Sequence, residues 1–192
     1  MPPKTKHLPC IVVISSVLLL SAVAVSPVNA ENRNNARGRH LLAGYGWDMR
    51  LENGDEYSYY FLGLNLDYGS GEDSWQRYFS VQLEPFVSVI EAGRGDFETG
   101  ISFFLKYEPR WGFPLKPYIR GGSGLIYLSE TTEKQSTNFN FVSQAAYGLS
   151  YRRKNINLLV EYRNRHISNA GIRDPNSGID TKMLLAGMDV SF

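Results

Sequence analysis

The chain has 192 residues, with 20 Lys and Arg against 19 Asp and Glu, 43% apolar and 13% aromatic residues, and one cysteine, Cys10. A charge balance this close to neutral carries no nucleic-acid footprint. Cys10 precedes an apolar run instead of following it, the wrong place for a lipid-modified cysteine, and with no cysteine beyond it disulfide and thiol chemistry are excluded from the rest of the chain.

Residues 1–30 have the three-part pattern of a secretory signal: Lys4 and Lys6, an apolar run from Ile11 to Val25, then Val28-Asn29-Ala30 with small residues where a signal peptidase reads. The run is interrupted by Ser15, Ser16 and Ser21 and falls short of the ~20 predominantly apolar residues of a spanning helix, so it reads as an export signal and not an anchor. Cleavage after Ala30 leaves residues 31–192 as one domain, with 18 basic and 19 acidic residues once Lys4 and Lys6 are gone. Residues 31–40 are polar and read as a disordered leader.

From there the apolar period is two, the period of a strand. Ala43, Tyr45, Trp47, Met49 and Leu51 alternate with Gly44, Gly46, Asp48 and Arg50; Tyr60, Leu62, Leu64, Leu66 and Tyr68 alternate with Phe61, Gly63, Asn65 and Asp67. A third strand sets Phe79, Val81, Leu83, Val87 and Val89 against Ser80, Gln82, Glu84 and Ser88, and a fourth sets Phe97 through Tyr107 at odd positions against Gly100, Ser102, Lys106 and Glu108. The fifth, from about Tyr118 to Ser129, is diluted by Gly121, Gly122 and Gly124, which leaves its facing open. Ala145, Tyr147, Leu149 and Tyr151 mark a sixth, Ile156, Leu158, Val160 and Tyr162 a seventh, and Leu184, Ala186, Met188, Val190 and Phe192 an eighth. Turn residues separate them, among them Asn53-Gly54-Asp55, Gly69-Ser70-Gly71, Gly93-Arg94-Gly95 and Asn176-Ser177-Gly178.

Eight strands of about ten residues, an export signal and aromatic residues at strand ends predict an all-β fold, an eight-stranded antiparallel transmembrane β-barrel of the bacterial outer membrane. It has to close, because an open edge in lipid strands backbone groups without partners. A soluble β-sandwich or lipocalin-like barrel also alternates. Here, however, the face opposite the apolar one is Gly, Ser, Asn, Gln and charge, including Asp48, Asp67, Glu84, Glu108, Glu161, Arg50, Lys106, Arg163 and Arg165. An eight-stranded barrel is just wide enough for its side chains to fill it. These acids and bases are therefore expected to pair inside a plugged barrel, with Glu84 and Glu161 as structural ion-pair members and no pore.

One stretch departs from this plan. His166, Ser168 and Asp180 share the even parity of the apolar residues on their strands, so all three polar groups are expected to face lipid, where they cost free energy and need a reason. Residues two apart on a strand are ~6.6 Å apart at the backbone, close enough for leaning side chains to meet. If the hairpin pairs His166 with Asp180, their Cβ atoms are ~5 Å apart. Imidazole, hydroxyl and carboxylate within reach of one another are the parts of a serine-hydrolase site. With both chain ends on the periplasmic side, the connection after the seventh strand, Ala170 to Ile179, lies on the outer side, next to lipopolysaccharide.

The run His166-Ile167-Ser168-Asn169-Ala170-Gly171, with Pro175-Asn176-x-Gly178 downstream, resembles the signature of the lipid A 3-O-deacylase (PagL) family, an eight-stranded outer-membrane barrel. The resemblance implies that Ser168 is the nucleophile and His166 the general base, that Asn169 with the backbone near Gly171 forms the oxyanion hole, and that no cofactor or metal is required. It implies lipid A of the outer leaflet as the partner. The family's acid is Glu, whereas this chain has Asp180 at the matching position, one methylene shorter. Arg173 and Lys182 are candidates for lipid A phosphates. Two other functions fit the same strand pattern: an outer-membrane phospholipase, or a small structural or adhesion barrel without catalysis.

Overall fold

The computed structural model describes residues 36–48, 57–69, 78–91, 95–153 and 156–189. They form β1 (Ala36–Asp48), β2 (Tyr59–Gly69), β3 (Phe79–Ile90), β4 (Phe97–Tyr107), β5 (Leu115–Leu128), β6 (Phe139–Arg153), β7 (Ile156–Ser168) and β8 (Ile179–Asp189). Each pairs antiparallel with its sequence neighbour, and β1 pairs with β8 from His40↔Asp189 to Asp48↔Thr181, which closes the barrel.

Parity holds around the sheet. Leu62, Val81, Phe103, Leu105, Ile119 and Val160 point outward and are exposed, whereas Gln82, Glu84, Ser102, Lys106, Glu161 and Arg163 are buried inside. That is the inside-out pattern of a barrel in lipid, with aromatic pairs near both rims, Tyr127 with Phe139 at one and Phe79 with Tyr107 at the other. The facing of β5, open in the sequence, is set by Tyr118, Arg120, Ile126 and Leu128 inside. Two of its glycines are there because β4 runs close: a Cβ at Gly122 would collide with the Phe103 carbonyl and one at Gly124 with the Ile101 carbonyl.

One boundary is corrected. The expected leader 31–40 does not extend to residue 40, because β1 begins at Ala36 and Arg39 and His40 pair with Leu66 and Asn65. His40 is buried and its Nε2 lies 2.9 Å from Asn157 Nδ2. Polar composition suggested fraying, but in a barrel polar residues at strand positions face the lumen. The signal expected over 1–30, the side chains of Asp48 and Arg50, and Phe192 lie outside the described residues.

The interior is layered. Midway, Glu84 is held by Arg163 at 2.6 Å and Arg120 at 2.8 Å, and Glu161 by Arg120 at 2.6 Å and Arg163 at 2.8 Å. Arg165 pairs with Glu98 at 2.5 Å and donates to Thr181 Oγ1 at 3.2 Å. Arg120 and Glu98 were absent from the expected interior set. Toward the rim that carries the loops after β5 and β7, the filling turns apolar, with Ile126, Leu128, Val142, Ile167 and Ile179 at most 1% exposed. This apolar plug anchors the end of the β7–β8 hairpin from inside.

Candidate active site

Two rungs of β7 and β8, with Ser168 at the end of β7, build the site. Ile167 pairs with Ile179, both buried inside, so their neighbours His166, Ser168 and Asp180 must turn outward. His166 stands opposite Asp180 in register, and its Nδ1 lies 2.6 Å from Asp180 Oδ1. A carboxylate only accepts, so Nδ1 carries the proton of this bond, and in the neutral ring the lone pair is then on Nε2. The shorter acid reaches the ring because the two residues share a rung.

Ser168 ends β7, half-buried, opposite Phe141 of β6, and Ser143 of β6 stands opposite His166. The structure brings His166 to Asp180 and does not close a hydrogen bond between His166 and Ser168. In substrate-free sites such bonds are commonly long and tighten only when substrate is bound.

Beyond Ser168 the chain turns sharply. Ala170 and Gly171 both have positive φ, 56° and 78°. The left-handed conformation costs a residue with a Cβ ~1–2 kcal/mol, and the turn is held by hydrogen bonds to Asn169: Gly171 N donates to Asn169 Oδ1 at 2.9 Å and Ile172 N to the Asn169 carbonyl at 3.1 Å. Asn169 is fully buried; its Nδ2 donates to the Arg173 carbonyl at 2.6 Å and its backbone N–H to Asn176 Oδ1 at 3.0 Å. Both groups expected as oxyanion donors, Asn169 and Gly171, are thus engaged within the loop. The side-chain amide of Asn169 has a second hydrogen beyond the one given to Arg173.

Gly178 closes the loop against the histidine. Its φ is +78°, and a Cβ there would stand 2.6 Å from His166 Cε1, so only glycine leaves room for the ring. The side chain of Arg173 is exposed at the loop, and Lys182 lies on the outward face two residues after Asp180. Among the described residues no group of three or more His, Cys, Asp or Glu side chains is arranged to hold a metal ion.

Sequence reading missed Gln135. It lies in the loop after β5, is fully buried, and donates through Nε2 to Asn176 Oδ1 at 3.0 Å. Loop residues carry no parity, and nothing in the local sequence points to a partner on another loop.

The sequence profile described as Lipid A 3-O-deacylase (PagL) matches residues 41–189. No individually curated protein matches the chain in sequence. Among solved structures the barrel is similar to that titled "Crystal structure of the outer membrane enzyme PagL", with TM-score 0.64 and 25% identity over 77% of this chain and 97% of that one. It also shares the fold of Neisserial surface protein A, with TM-score 0.59 and 17% identity over 82% of this chain and 99% of that one. The profile spans the strands, the His166–Ser168 segment and Asp180 together, and the chain belongs to the lipid A 3-O-deacylase (PagL) family of outer-membrane enzymes.

Proposed function

We propose that this protein is a serine esterase that removes the ester-linked acyl chain at the 3-O position of lipid A. The carrying observation is the 2.6 Å bond from His166 Nδ1 to Asp180 on the outward face of the barrel, two residues along β7 from Ser168. His166 Nε2 takes the proton of Ser168 Oγ as that oxygen attacks the ester carbonyl, and Asp180 stabilises the imidazolium that forms. The negative charge on the carbonyl oxygen is met by the second side-chain amide hydrogen of Asn169 and by the backbone N–H of Gly171, which exchanges its bond to Asn169 Oδ1 as the substrate enters. Collapse of the intermediate expels the sugar hydroxyl, which takes the proton from His166, and a water activated by the same nitrogen releases the acyl chain from Ser168.

The surroundings suit such a substrate. Phe141 beside Ser168 and Phe139 beyond it expose 45% and 73% of their surface, which offers an apolar path for an acyl chain along the barrel wall. Arg173 and Lys182 lie near the rim to meet the lipid A phosphates. Residues 1–30 act as the cleaved export signal. With the N-terminus of the barrel on the periplasmic side, the loops after β5 and β7 stand at the outer leaflet, where lipid A is the neighbouring ester.

Mass spectrometry of lipid A from cells with and without the protein tests the reading. The expected product lacks one ester-linked acyl chain and appears only with active protein. Release of glycerophospholipid acyl chains alone would instead make the protein a phospholipase.

A further inference from the structure

The loop after β5, residues 129–138, is fastened onto the loop that follows Ser168. Ser136 N donates to the Pro175 carbonyl at 3.2 Å, Ser177 N to the Lys134 carbonyl at 3.0 Å, and Ser136 Oγ to the Arg173 carbonyl at 3.0 Å. Gln135 and Asn176 form a β-bridge between the two loops. A short turn presents Gln135: its N–H donates to Thr132 Oγ1 at 3.0 Å, and its carbonyl accepts from Thr132 N at 2.9 Å.

The Gln135 side chain does what the backbone bonds cannot. Its Nε2 donates to Asn176 Oδ1 at 3.0 Å and reaches the Ile167 carbonyl at 3.5 Å, so one amide spans both ends of the segment that contains Ser168. Asn176 Oδ1 also accepts the backbone N–H of Asn169 at 3.0 Å. That N–H belongs to the peptide bond directly after Ser168. The order Gln135 to Asn176 to Asn169 therefore fixes the plane of the peptide that follows the nucleophile.

Stability alone does not account for this residue. Among the described residues Gln135 Oε1 is buried without a hydrogen-bond partner, and a buried unsatisfied acceptor carries a cost that an apolar side chain of the same length avoids. We infer that Gln135 is a positioning residue that acts through Asn176 to hold the peptide after Ser168 in its reactive orientation. This rests on the assignment of Ser168 as nucleophile. Losing the amide lets Asn176 rotate and frees the Asn169 N–H, and the hydroxyl shifts against the histidine while substrate still docks on the barrel wall.

The test compares Gln135→Met, Asn176→Ala, the double variant and Ser168→Ala in the folded full-length barrel in detergent, with purified lipid A as substrate. Acyl release, thermal unfolding and amide hydrogen exchange are measured on each. Gln135→Met is expected to lower kcat by about 10- to 100-fold, with KM and the unfolding midpoint unchanged and the Asn169 amide exchanging faster while strand amides do not. The double variant is expected to be no slower than the worse single one, because both break the same link. Wild-type kcat in Gln135→Met, a kcat loss matched by a lower unfolding midpoint, or multiplicative losses in the double variant would each overturn the proposal. Should Ser168→Ala keep releasing acyl chains, the nucleophile assignment fails separately. Gln135 is then judged on exchange alone: faster exchange at Asn169 keeps the brace, and an unchanged rate removes it.

Discussion

Adjacent rungs of the β7–β8 hairpin set two polar pairs on opposite faces of one sheet. Arg165↔Thr181 points inward, where Arg165 also binds Glu98 and both guanidinium and carboxylate are buried. His166↔Asp180 points outward, with side chains 49% and 29% exposed. The inner set has every partner it needs from other strands and is locked. In the outer pair the bond to Asp180 uses only Nδ1 of the ring, so the second imidazole nitrogen is left for chemistry. Satisfied charges inside make a scaffold, and a half-exposed imidazole oriented by its carboxylate outside makes a candidate reaction centre.

Substitutions can break this contrast from either side. The largest loss is expected for Ser168→Ala, which should cut acyl release from lipid A by more than about 1000-fold, or ~4 kcal/mol in barrier, with the barrel still folded by its heat-dependent gel shift. Activity that survives would move the nucleophile elsewhere. On the inner face, Arg163→Met leaves Glu84 and Glu161 with half their counter-charge and should cost about 3–5 kcal/mol in urea unfolding, while turnover per folded barrel stays near wild type. A selective loss of turnover without destabilisation would erase the distinction between the faces.

Gly178→Ala should act on the outer face alone. Its methyl group would push against His166 Cε1 at a positive φ, and kcat is expected to fall by about 10- to 100-fold with little change in KM. Asp180→Glu is milder: the longer acid must fold back to stay on the rung, and a loss of about tenfold, ~1.4 kcal/mol, is expected, against a larger one for Asp180→Ala. If neither variant changes the rate, something other than Asp180 orients His166.

The smallest effect concerns Glu108, just past the end of β4. Burial works against its charge, but Lys106 at 2.7 Å, with Arg152 and Ser150, outweighs it and holds the carboxyl below the usual carboxylate range. A pKa lowered on folding stabilises the protein above the unfolded-state value, and the gain is lost as pH falls through the folded one. Wild type should therefore exceed Glu108→Gln in thermal midpoint near neutral pH, with the gap vanishing in acid. An equal gap at both pH values would mean that the charge contributes nothing.

Most of the barrel was legible because a strand exposes its environment through a period of two. Leu62, Phe103 and Val160 read as outward, and Glu84, Glu161 and Arg163 as inward, with no knowledge of their partners. The same parity aimed His166, Ser168 and Asp180 at one face. It gave no direction for β5, where Gly122 and Gly124 replace side chains that the neighbouring β4 backbone excludes, so Arg120 escaped notice despite bridging two buried glutamates. The start of β1 was hidden for a related reason: His40 looks like part of a solvated tail until the lumen is known to be polar.

Local alternation and the short motif from His166 to Gly171 were enough to determine the strand count, the facing of every strand but β5 and the candidate reacting groups, because each depends on spacing along the chain. Which residues meet across it is a matter of register and loop packing. The rung that joins His166 to Asp180, the room that Gly178 leaves for the ring, and the reach of Gln135 to Asn176 were decided only by the closed tertiary structure. Closure brings two loops together that are far apart in sequence, and no periodicity within either one encodes the other.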